Sequence, residues 1–96
     1  MGALEGKRAV VTGAAQGIGA AIAERFVAEG ASVILADIDG AGVEALAAKL
    51  GQIAVTCDVS KVAEITRLFG RAKAEWGGLD ILVNNAGITR AAELDD

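Results

Sequence analysis

The chain has no histidine, no tyrosine, no proline and a single cysteine, and only 3% of its 96 residues are aromatic. Without histidine or tyrosine it cannot assemble a histidine-based triad or a tyrosine acid, and one cysteine without histidine excludes a Cys/His zinc site. Most self-contained catalytic designs are thereby ruled out. A lone cysteine has no intrachain disulfide partner, which fits a reducing compartment. Nine basic residues against thirteen acidic ones leave a net charge of -4. The basic residues are scattered, so neither a nucleic-acid footprint nor an anionic membrane surface is indicated. The first residues, Met1 to Lys7, lack the apolar stretch of a signal peptide. Apolar runs such as Ser32 to Ala36 and Ile81 to Val83 fall far short of the roughly 20 residues that span a bilayer. A cytoplasmic location, with no membrane and no nucleic acid as partner, is the expectation.

At 53% apolar and 23% charged, the 96 residues suit one compact domain and exclude two. Arg8 to Thr12 carries Ala9, Val10 and Val11 and ends at Gly13, the mark of a strand buried on both faces. Ile18, Ile22 and Phe26 then recur at helical spacing until Gly30. Ser32 to Asp37 repeats the first strand's character, and Val43, Leu46 and Leu50 mark a second helix closed by Gly51. Ile53 to Cys57 reads as a weaker third strand. Ser60 is placed to cap a third helix whose stripe is Val62, Ile65, Leu68, Phe69, Ala72 and Trp76. Leu79 to Val83 is a fourth strand, followed by a tail, residues 88–96, expected to be poorly ordered. Strands alternating with helices predict an α/β fold, a parallel sheet with helices on both faces. The strand order expected is 3-2-1-4, with the first two helices on one face and the third on the other. Strand four is then an edge strand with little to cover it, a pairing liability in a free monomer.

The turn from strand one into helix one reads Thr12-Gly13-Ala14-Ala15-Gln16-Gly17-Ile18-Gly19. Gly13 can take backbone angles closed to other residues, Gly17 lets the chain approach a ligand, and Gly19 lets the helix lie close to the sheet. The helix N-terminus offers free N–H groups and a positive dipole end to a pyrophosphate. Asp37 ends strand two, 18 residues after Gly19, where a carboxylate reaches the hydroxyls of an adenosine ribose and repels a 2′-phosphate. Gln16 is uncharged and no Lys or Arg adjoins Asp37, so NAD(H) is favoured over NADP(H). The competing reading of Asp37 and Asp39 is an ordinary polar turn. Cys57 lacks a basic neighbour in sequence and reads as a buried small hydrophobe. Phe26, Phe69 and Trp76 read as core or helix-to-sheet packing without a stacking role.

The spacing Gly-x-x-x-Gly-x-Gly, together with Asp37, Cys57-Asp58-Val59 and the run Asp80-Ile81-Leu82-Val83-Asn84-Asn85-Ala86-Gly87, resembles the short-chain dehydrogenase/reductase family over nearly the whole chain. The resemblance implies a Rossmann-type sheet, here an incomplete doubly wound one, and a single dinucleotide-binding half-domain over residues 1–96. It also implies cofactor-binding roles for Gly13, Ala15, Gln16, Gly17, Ile18, Gly19, Asp37 and Ile38. Asp58 and the Val59 backbone would meet the adenine ring, Asn85, Ala86 and Gly87 would line the cofactor's ribose side, and Asn84 would tie the central strands together. For Asp58 a plain turn before Ser60 is the competing reading. Family members are well over twice this length, and the Ser, Tyr and Lys credited with their catalysis lie beyond residue 96. No catalytic residue is assigned, and the chain alone is expected to be inactive. The expectation is the NAD(H)-binding portion of an oxidoreductase acting on a small alcohol or carbonyl compound, completed by a C-terminal half, an oligomer or a complementing chain. The alternatives are a non-catalytic nucleotide-binding module and a structural fragment that assembles through its open sheet edge.

Overall fold

Short β-branched runs alternate with alanine-rich amphipathic segments, and in the computed structural model, which describes residues 2–85, each run becomes a strand and each segment a helix. In chain order they are β1 (Arg8–Thr12), α1 (Gly17–Ala28), β2 (Ser32–Asp37), α2 (Gly40–Leu50), β3 (Ile53–Thr56), α3 (Val62–Trp76) and β4 (Ile81–Asn84). The four strands form one parallel sheet in the order β3-β2-β1-β4. This is the order expected from the sequence. The expected tail 88–96 lies outside the described residues. Among the described residues no helix is long and apolar enough to cross a membrane.

Side chains alternate across a strand, so the two central strands feed two cores. Ala9, Val11, Val33 and Leu35 point to one face and meet Ala23 of α1 and Val43 and Ala47 of α2. Val10, Ile34 and Ala36 point to the other, under Leu68 and Ala72 of α3. Helices one and two therefore share a face and α3 occupies the opposite one, as right-handed crossovers require. Ile81 and Val83 of β4 join the first core, while Leu82, paired with Val10, stays 47% exposed on the α3 side.

Two local expectations are corrected. The α3 stripe is only partly buried: Leu68 and Ala72 are covered, but Val62 is 78% and Phe69 38% exposed. A lone helix covers only the sheet directly beneath it, so the margins of a wide stripe stay open. Ser60 does not cap α3. Its hydroxyl donates to Asp58 Oδ1 at 2.7 Å, and the capping position falls to Lys61, whose side chain makes no cap bond. A short polar side chain that finds a nearer acceptor is lost to the helix end.

Candidate functional site

All four strands run in one direction, so their carboxyl ends gather on one rim of the sheet. The chain leaves β1 for β2 and β3 on one side and returns to β4 on the other. The rim above β1 is thus the point where strand order reverses, the usual ligand crevice of open α/β sheets. A cleft of about 930 Å³ opens there, bordered by Thr12, Asp37, Cys57 and Asn84 at or just past the four strand ends.

The glycine turn forms its floor. Gly13 and Gly17 both hold φ of +65°, which side-chain-bearing residues rarely adopt. A Cβ on Gly17 would meet no atom within 4 Å, so this backbone faces open space. Gly19 is the reverse: a Cβ there would overlap the Gly13 carbonyl oxygen and sit 2.7 Å from Asn85 Nδ2. The close approach that Gly19 permits is therefore to the turn itself, rather than to the sheet as its spacing suggests. No side chain caps α1, and its first turn holds no acidic residue. Among the described residues no side chain meets the first N–H groups of α1, and these with the positive dipole end suit an anion.

The flanking turns brace this floor. Asp37 Oδ2 accepts from the Ala15 N–H at 2.9 Å and its Oδ1 from the Asp39 N–H at 2.9 Å. Asp39 in turn caps α2, accepting from Gly42 N–H at 3.0 Å. The polar-turn reading of Asp37 and Asp39 thus holds as local structure, and it fixes the Asp37 carboxylate on the cleft wall. Asn85 Nδ2 donates to the Gly13 carbonyl at 3.4 Å, and Thr12 Oγ1 donates to Asn84 Oδ1 at 3.2 Å and the Val83 carbonyl at 3.3 Å, joining β4 to β1. Past β3, two hydrogen bonds from Ser60 hold the Asp58 carboxyl below its ordinary value. The buried Cys57 thiol is pushed up, foremost by burial and then by Glu64, which makes it a poor nucleophile. Among the described residues no Lys or Arg lines the cleft.

Of the residues singled out from the sequence, Gly13, Gln16, Gly17, Asp37, Ile38, Asp58, Val59 and Asn85 line this cleft. Ala15 acts through Asp37, Gly19 is buried behind the turn, and Ile18 is an exposed first-turn residue of α1. Ala86 and Gly87 lie outside the described residues. Sequence reasoning missed Ser60, which steers Asp58, and Phe69, which lines the cleft with Ile65 and Leu82 instead of packing in a core.

The family model described as short chain dehydrogenase matches residues 7–96. The chain belongs to the short-chain dehydrogenase family. It is 44% identical to a D-threitol dehydrogenase of Mycolicibacterium smegmatis, over 97% of this chain and 38% of that protein. With a galactitol 2-dehydrogenase of Agrobacterium fabrum it shares 47% identity, over 96% of this chain and 37% of the relative. A solved 3-ketoacyl-(acyl-carrier-protein) reductase from Brucella melitensis, complexed with NADH, superposes with a TM-score of 0.81 at 41% identity, covering 83% of this chain and 34% of the other. The chain thus spans little more than a third of the length of these relatives.

Short-chain dehydrogenases are oxidoreductases that use a nicotinamide dinucleotide, and the donors on this rim suit one. The cleft presents an uncapped helix end over a side-chain-free backbone at Gly17, a carboxylate at each of the two flanking turns, and no cation among its described lining residues.

Proposed function

We propose that this chain is the NAD(H)-binding portion of an oxidoreductase that transfers hydride between the nicotinamide and a CH–OH or carbonyl compound. The observation that carries the NAD(H) preference is Asp37: a carboxylate anchored on the Ala15 amide at the tip of β2, in a cleft whose described lining residues include no lysine or arginine. A 2′-phosphate would meet that carboxylate with no cation among the described lining residues to offset it, whereas free ribose hydroxyls donate to it. The N-terminus of α1, with Gln16, Gly17, Ile18 and Gly19, holds the pyrophosphate. Asp58 and Val59, beside Ile38, take the adenine end, and Asn85 with Ala86 and Gly87 the other ribose. When bound, the dinucleotide supplies the hydride chemistry, and these residues supply binding and orientation.

The named relatives, two polyol dehydrogenases and a ketoacyl reductase, support a small alcohol or carbonyl substrate. A proton donor for such chemistry comes from polypeptide outside the described residues, since the sequence contains neither Tyr nor His. The outer edge of β4 and its half-exposed Leu82 support pairing there with more chain, a complementing chain or a second copy. The cytoplasm, with its reducing conditions, remains the compartment that one free cysteine fits best.

Fluorescence titration with NADH and NADPH tests the reading. NADH should bind more tightly, and Asp37→Ala should weaken it about tenfold, as loss of a charge-assisted hydrogen bond does, while narrowing the preference. Asp37→Asn, which keeps an oxygen for the Ala15 amide, should relax the preference with less loss of NADH affinity. Equal affinities for the two dinucleotides before and after substitution refute the role of Asp37.

A further inference from the structure

The third position of α3 is where a capping box places an acid, whose carboxylate turns back to the N–H of the capping residue. In this chain that acid is Glu64, but the capping residue is Lys61, which has no acceptor to return and whose N–H is already bonded to the Asp58 carbonyl at 3.1 Å. Glu64 Oε1 reaches further back and accepts from the Asp58 N–H at 2.7 Å. Arg67, one turn on, donates to the Thr56 carbonyl at 2.7 Å and lies 3.7 Å from Glu64 Oε1. The turn after β3 is therefore tied to α3 on both sides of Asp58.

What this turn offers the cleft is specific. Both donors to the Asp58 side chain, the N–H and the hydroxyl of Ser60, converge on Oδ1. Oδ2 receives no donor and the Val59 N–H meets no acceptor among the described residues. An acceptor beside a donor complements the amino group and ring nitrogen of a 6-aminopurine. A 6-oxopurine reverses both partners.

We infer that Glu64 is a positioning residue for base recognition: by holding the Asp58 amide it keeps the Asp58–Val59 corner in the shape that tells a 6-amino from a 6-oxo purine. This rests on the NAD(H) reading above. Glu64 touches no ligand itself, so its effect is on selectivity between bases.

The test is titration of the 96-residue chain with NADH and with reduced nicotinamide hypoxanthine dinucleotide. The unmutated chain should prefer NADH by about tenfold, the scale of mismatched buried hydrogen bonds. Glu64→Asp keeps the charge near Arg67 and the start of α3, but it is one methylene too short to reach Asp58. It should cut that ratio about fivefold, with faster exchange of the Asp58 amide. Glu64→Met, similar in length but without an acceptor, should do the same and decides the matter if the Asp variant fails to fold. Glu64→Gln retains a carbonyl oxygen and should restore the ratio. An unchanged ratio in a folded Asp or Met variant overturns the inference, as does equal loss in the Gln variant. Failure of the folded, unmutated chain to bind either dinucleotide overturns the NAD(H) reading and this inference with it, whereas binding with an unmoved ratio overturns Glu64 alone.

Discussion

Alanine placed at Gly17 and at Gly19 should produce opposite failures. At Gly17 the new methyl meets no atom within 4 Å, so its cost is that of holding an L-residue at φ +65°, about 1 kcal/mol. For a domain of this size that is a fall in Tm of roughly 5 °C. The methyl would project from the backbone that approaches the pyrophosphate, so dinucleotide binding should weaken at least about tenfold. Gly19 lies inside α1 with ordinary helical backbone, and helix propensity alone favours alanine there by about 1 kcal/mol. The methyl, however, collides with the Gly13 carbonyl, a backbone atom braced by Asn85. Overpacking of this kind costs about 3 kcal/mol, and displacing the Asn85 bond about 1 more. The net loss of about 3 kcal/mol should lower Tm by more than about 10 °C. Circular dichroism melts of both variants, followed by NADH titration of the folded protein, separate the two effects. A Gly19→Ala chain that melts at or above the unmutated one would refute the close approach of α1 to the turn. A Gly17→Ala chain with undiminished affinity would refute the open backbone as the approach to the ligand.

Two further outcomes test the frame around the site. Arg8 donates to Asp80 Oδ2 from its N–H at 2.9 Å and from Nε at 3.1 Å, and the Asp80 carboxyl is held below its ordinary value of 3.8, chiefly by the side-chain bond. A depressed carboxylate stabilises the fold above its unfolded pKa and loses that contribution as pH falls through its folded one. Asp80→Asn should therefore melt earlier than the unmutated chain at neutral pH, and the gap should close between pH 3.8 and the lower folded value; a gap that persists in stronger acid would contradict the pairing. On β4, the Asp80 N–H donates to the Arg8 carbonyl, so alternation turns the Leu82 amide toward β1 and those of Ile81 and Val83 toward the open edge. In a dilute sample shown by sedimentation to be monomeric, Leu82 should be protected from hydrogen exchange and Ile81 and Val83 should not, and protection of all three would mean that the edge is closed.

The sheet was legible because its information is local and repeated. Ala9 to Val11 and Val33 to Ala36 are too short and too β-branched for helices, the segments between them have helical period, and right-handed crossovers leave few arrangements of such a chain. The left-handed backbone at Gly13 and Gly17 was legible because that demand is made by one residue on its own backbone. What escaped was whatever depends on a competition between neighbours. Ser60 has the composition of a helix cap, yet the Asp58 carboxylate two residues back captures its hydroxyl. The half-signal was present, since an acid stands three residues after Lys61 without a capping side chain to answer it. Phe69 and Val62 share the period of Leu68 and Ala72, and period alone cannot say how wide a strip of sheet one helix covers.

The braces around the cleft also explain why a short segment can present so much of a site. Side chains hold turn backbone around the rim: Asp37 the Ala15 N–H, Asn85 the Gly13 carbonyl and, from α3, Glu64 the Asp58 N–H. Such bonds satisfy turn amides and carbonyls that no strand or helix partner reaches, so they form as the sheet forms and need no ligand to organise them. They also fall into two groups. Among the described residues the turns after β1, β2 and β4 are joined by side-chain bonds, whereas the turn after β3 makes its side-chain bonds with α3 and itself and meets β2 through one backbone bond, from the Cys57 N–H to the Asp37 carbonyl at 2.9 Å. Asp58 is thus placed relative to Asp37 through that backbone bond, the β2–β3 pairing and the packing of Leu68 and Ala72 against Ile34 and Ala36. It follows that a cavity at Leu68 should disturb the Asp58 side of the cleft while leaving the glycine turn and Asp37 in place.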